Sequence, residues 1–126
     1  MAPRETSAQD AHRRTALLLG ARRLSEARAL HAAGNVREAI TLLDEVVTLS
    51  PEDADAHALR GDCALALGIQ DSDPFLFGDA LRDFLLAAKS GARPDAWIGA
   101  SRAARLLYYD GFDRSRIEDA VLLARE

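Results

Sequence analysis

The stretch Ala27-Arg28-Ala29-Leu30-His31-Ala32-Ala33-Gly34-Asn35-Val36-Arg37-Glu38-Ala39-Ile40, continued through Leu43, Val46 and Val47 to Leu49-Ser50-Pro51, decides the fold. Its apolar residues Leu30, Val36, Ala39, Ile40, Leu43, Val46 and Val47 recur at helical spacing. Gly34-Asn35 interrupts them, so two helices joined by a tight turn are predicted. Asn35 with Glu38 reads as an N-cap and capping-box pair for the second helix, Val36 to Leu49. Ala27 and Ala39 are small where two helices have to approach closely. Ser50 with Asp53 repeats the capping device ahead of a third helix, and Pro51 suits its first turn.

The same punctuation continues toward the C-terminus. The third helix is predicted from Pro51 to about Leu67, with Gly68 as the residue that stops it. A fourth starts near Asp73-Pro74, runs to Ser90, ends at Gly91 and buries Phe77, Leu81, Phe84, Leu85 and Ala88. A fifth spans Pro94 to Tyr109 and carries Trp97. A sixth, capped by Asp113 or Ser115 with Glu118 behind, carries Ile117, Val121 and Leu122. The sequence stops at Glu126, which leaves that apolar edge for a homodimer or a docked partner.

Toward the N-terminus, residues 1–6 are expected to fray, and Ser7 with Asp10 is a plausible N-cap. From Ala8 to Ala33 only Gly20 argues for a break. One long helix, or two bent between Thr15 and Gly20, is expected, the first part capping the open face of the repeat domain. The domain reading is therefore a helical extension over 1–19 and a repeat domain over 20–126.

Composition bounds the function. The chain has 126 residues, 48% apolar and 29% charged but only 6% aromatic, as a single helical domain would have. The apolar run Ala16 to Leu19 is far too short to span a bilayer, and Met1 to Thr6 lack a signal peptide's apolar core. The lone Cys63 precludes an internal disulfide, so a cytoplasmic protein is expected. Residues 1–40 carry a net charge of +3, residues 41–83 of −8 and residues 84–126 of +1. An acidic middle breaks the basic track that nucleic-acid binding needs. Abundant Ala and Arg with Lys89 as the sole lysine is the composition of a GC-rich bacterial gene.

Internal spacing adds a family signal. Ala27 and Gly61, like Gly34 and Gly68, stand 34 apart. Asp55-Ala56-His57 recurs as Asp95-Ala96-Trp97 and Asp79-Ala80 as Asp119-Ala120, 40 apart. The longer register places extra residues at Ile69 to Pro74 and at Tyr109 to Asp113. This pattern resembles the tetratricopeptide repeat, whose unit is about 34 residues. Residues 20–53 resemble it best, through Gly34, Ala39, Leu43 and Pro51; units 54–93 and 94–126 match it more loosely, through Gly61, Ala64, Gly68, Ala80 and Phe84, then Trp97, Ser101, Ala104 and Ala120. Arg23 stands in an aromatic slot of the family and Arg60 in a leucine slot. The resemblance implies an all-α fold of about three antiparallel helix pairs in a short right-handed superhelix.

It also implies a non-catalytic adaptor, scaffold or chaperone-like module that binds a peptide segment of another protein in a concave groove. Laid onto this sequence, the groove positions are Leu24, Arg28 and His31, then Asp55, Ala58, Asp62 and Leu65, then Asp95, Ile98, Arg102 and Arg105. Arg28, Arg102 and Arg105 either fork onto a ligand's carboxylates or pair with Asp55, Asp62 and neighbouring acids. The family's clamp for a C-terminal carboxylate is not expected, because its slots hold Leu24, Arg28, Leu59, Asp95 and Gly99.

No catalytic constellation, metal or cofactor is expected. His12, His31 and His57 lack metal-site spacing, and Cys63 lies six residues from His57, on another face. Asp71, Asp73 and Asp79 lack the glycine and glutamate of a calcium loop, so Asp73 is read as a helix cap. The alternative function is a structural subunit that self-associates through its C-terminal helix edge.

Overall fold

Alternation of apolar and charged residues along α2 (Val36–Leu49) buries Val36, Ala39, Leu43 and Val46 along one stripe and leaves Glu38, Thr41, Asp44 and Glu45 in solvent. That stripe lies on the second half of α1 (Glu5–Ala32), where Leu24 and Ala27 are buried. Three further helices complete the fold: α3 (Ala54–Asp71), α4 (Pro74–Lys89) and α5 (Ala96–Tyr109). The computed structural model describes residues 5–109, all of whose regular structure is helical. The predicted sixth helix, with Ile117, Val121 and Leu122, lies outside the described residues, as do residues 1–4. Residues 5 and 6, expected to fray, are helical, and Ser7 lies inside α1 rather than capping it.

Each helix packs on the next in sequence, and α3 also touches α1 and α5. As the central element, α3 is buried on two sides. Ala56, Cys63 and Leu67 face the core shared with α1 and α2, while Ala58, Ala64 and Leu65 join the core shared with α4 and α5. Ala27 and Ala39 are fully buried where α1 meets α2, so small side chains set that close approach. Phe77, Leu81, Phe84, Leu85 and Ala88 are buried on α4 as predicted.

The helix ends differ in detail from the expected caps. Asn35 begins α2 without a hydrogen bond from its side chain. Its carbonyl instead accepts the Ala39 N–H, and its own N–H reaches Leu30 across Gly34, whose φ of +85° turns the chain. Pro51 does not start α3. Pro51-Glu52 form a turn closed by the Asp53 N–H on the Ser50 carbonyl, and Asp53 is the N-cap, accepting the Ala56 N–H at 3.1 Å.

Nor does Gly68 stop α3. The helix runs one turn further to Asp71 and ends at Ser72, which is left-handed with φ 51°. The extra residues of the long register are absorbed in that turn. Gly68 is needed for packing, since a Cβ there would stand 2.8 Å from the Phe77 ring. Asp73 does cap α4, accepting the Phe75 N–H at 3.0 Å with Pro74 in the first turn. Pro94 lies in a turn ahead of α5, its carbonyl accepting the Trp97 N–H.

Between the two expected forms of the N-terminal part, α1 is one uninterrupted helix of 28 residues, about 42 Å long. Gly20 lies inside it and makes no break. Residues 8–19 do not cap the other helices: all but the partly covered Ala16 are exposed, Leu17 and Leu18 among them. Among the described residues no helix is long and apolar enough to cross a membrane.

Candidate functional site

Because α1 and α5, the alternate neighbours of α3 in the chain, both touch α3, residues of the three helices meet on one side of the molecule. Asp55, in the first turn of α3, is the centre of this face. Arg93, in the turn before α5, donates from Nη1 to Asp55 at 2.8 Å and forks Asp95 through Nε at 3.0 Å and Nη2 at 2.8 Å. Arg28 of α1 stands 4.0 Å from the second oxygen of Asp55. The fork holds the Asp95 carboxyl below its ordinary range and raises the pKa of Arg93.

Asp62 lies two turns further along α3 and makes no hydrogen bond among the described residues. Although the residue reaches the surface, burial of its carboxyl raises its pKa, which the nearby positive charges of His31, Arg93 and Arg102 oppose. A cleft of about 230 Å³ runs between α3 and α5, lined among the described residues by Asp62, Arg93, Asp95, Ile98 and Arg102 over Ala58 and Phe84. Ile98 is 70% exposed at its rim. A second cleft of about 450 Å³ is lined by Ile69, Arg102, Arg105 and Leu106.

The predicted groove residues therefore separate into two groups. Arg28, His31, Asp55, Asp62, Asp95, Ile98, Arg102 and Arg105 come to one face. Leu24 and Leu65 do not reach it: each is buried in a helix interface, because the helical stripe that turns them inward also packs their neighbours Ala27 and Ala64. Ala58 is buried too but forms part of the cleft floor. Of the three arginines, Arg28 faces Asp55 within the chain, while Arg102 and Arg105 form no ion pair among the described residues.

A second cluster, on the α2 and α4 side of α3, was not anticipated as a site. Asp83 is 3% exposed. Arg60 forks it through Nε at 2.9 Å and Nη2 at 2.8 Å and reaches Asp44 of α2 through Nη1 at 3.0 Å. His57, one turn before Arg60, places Nδ1 3.0 Å from Asp83 and Nε2 2.7 Å from the Pro51 carbonyl. Its pKa is raised, chiefly by the Asp83 hydrogen bond, against the opposing effect of burial. With both ring nitrogens facing acceptors inside the chain, neither is turned toward a substrate or a metal. The signal in the sequence was Arg60 itself, a charge among the apolar residues of α3.

Other candidates resolve into packing. Cys63 is buried and its thiol is pushed up to about 12 by burial, so it is a core residue. Asp71 pairs with Arg37 and Asp73 caps α4, which occupies the acids of the calcium-loop-like stretch. Among the described residues no three His, Cys, Asp or Glu side chains converge as metal ligands would. Arg23 pairs with Glu45 across the α1–α2 interface. Trp97 is 49% exposed, so it is an edge residue. No family model matches the chain, no curated protein matches it, and no solved structure matches it.

Proposed function

We propose that the chain is a short tetratricopeptide-like module, non-catalytic, that binds a peptide segment of another protein on the face of α1, α3 and α5. The observation that carries this reading is the unequal spacing of the two helix layers. α1 touches α3 and α3 touches α5, while among the described residues no Cα of α2 comes within 8 Å of one in α4. Helix pairs that converge on one side and diverge on the other curve around the converging side, which is then concave. An extended or helical segment lies naturally in such a groove. Ile69, Ile98 and Leu106 supply apolar contact there, and Arg102 with Arg105 supply guanidinium groups suited to a partner's carboxylates.

The test is retention of proteins from source-cell extract by the immobilised chain, set against Arg102→Glu/Arg105→Glu. A protein retained by the wild type and reduced about tenfold or more by the double variant, at unchanged helicity, supports the reading. Retention of the chain's own copies alone overturns it in favour of a self-associating subunit.

A further inference from the structure

We infer that His57 is a proton-dependent latch: as an imidazolium it ties the α2–α3 turn to α3 and α4, and loss of its Nε2 proton releases the Pro51 carbonyl. The inference stands apart from the peptide-binding reading and rests on the two acceptors that bracket the ring. A carbonyl oxygen and an ionised carboxylate can only accept, so contacts of 2.7 Å and 3.0 Å require an N–H on each nitrogen. Asp83 cannot supply the missing proton from its own side. Both its oxygens already accept from Arg60, and the oxygen beside the ring is the one that Arg60 Nη2 binds.

A neutral ring has to leave one acceptor facing a lone pair. The remaining proton stays on Nδ1, toward the charged Asp83, so the contact that fails is the one to Pro51. That carbonyl belongs to the two-residue turn leading into Asp53, the cap of α3. The charged groups facing the ring are Asp83 of α4 and Arg60 of α3. Asp44 of α2 stands behind Arg60, and Asp79 of α4 feels both Asp83 and Arg60. Neither α1 nor α5 presents His57 with a charged group among the described residues.

The raised folded-state pKa fixes the sign. The latch is fully closed below the unfolded value of 6.5 and is lost as pH rises through the folded midpoint.

Nitrogen-detected NMR of the His57 ring in the intact wild-type chain, from pH about 6 to about 9, reads this directly. The expected result is a midpoint above 6.5 and loss of the proton from Nε2. Hydrogen-exchange protection of the Asp53 to Arg60 amides falls across the same midpoint. The fall is about tenfold for each unit by which that midpoint exceeds the unfolded value. A midpoint at or below 6.5, loss of the Nδ1 proton first, or unchanged protection each overturn the latch. So does a His57 midpoint unmoved in folded Asp83→Asn.

Discussion

The ring of Phe84 fills the space that a side chain on Gly99 would need: a Cβ there would stand 2.5 Å from its Cε1. A Cβ on Gly61 would meet the same atom at 2.9 Å, so α3 and α5 both offer a backbone notch to one aromatic ring of α4. Phe84 thereby sets how closely the two helices of the proposed groove approach.

Gly99→Ala and Gly78→Ala should therefore have opposite signs. Both positions are inside helices, where alanine is favoured over glycine by up to about 1 kcal/mol. Gly78 has nothing within 4 Å of its would-be Cβ, so urea unfolding should show that gain. At Gly99 the buried ring has to move, and overpacking at about 1–3 kcal/mol should outweigh it. Stabilisation by Gly99→Ala would show that Phe84 is not seated in this notch.

Asp53→Ala should lower stability by about 1 kcal/mol, the usual cost of a lost N-cap. Ser50→Ala and Asn35→Ala should cost much less, because neither side chain caps a helix here. Thermal melts of the three variants at one pH check the order. A larger loss at Ser50 would restore the earlier start of α3.

The five described helices were legible because apolar spacing, glycines and acids agreed along most of the chain. Cap identity was not, since Ser50 and Asp53 are equally good caps and only the Pro51-Glu52 turn selects between them. Gly68 read as a stop because glycine commonly ends helices, yet here it admits the Phe77 ring, a tertiary demand. Of the residues expected in a groove, the charged ones come to one face. Leu24 and Leu65 were misplaced because an apolar residue beside a groove position and one within it look alike in sequence. Arg23 and Arg60, odd in an apolar slot, become intelligible only with Glu45 and Asp83 in view.

Cys63 should react with a thiol reagent only as fast as the chain opens. Its thiol is buried and pushed up to about 12, chiefly by desolvation and secondarily by Asp62, so thiolate is scarce at neutral pH. The labelling rate should rise steeply with urea, in step with loss of helicity. Rapid labelling without denaturant would place Cys63 on an accessible surface.

Arg60 and Arg93 make nearly the same three hydrogen bonds: each forks one aspartate and reaches a second. Burial separates them, since the Asp83 side chain is 4% exposed and that of Asp95 is 60%. Asp83→Asn leaves the buried His57 and one side of the half-buried Arg60 without their carboxylate, which should cost about 3–5 kcal/mol. Asp95→Asn opens a solvated pair and should cost no more than about 1 kcal/mol. Raising the salt to about 1 M should shrink the smaller effect and spare the larger, because screening reaches exposed charges first. Urea unfolding of both variants at low and high salt measures all four values. Equal costs would mean that the Asp83 cluster is hydrated, and the close fit of α2, α3 and α4 around it would have to be given up.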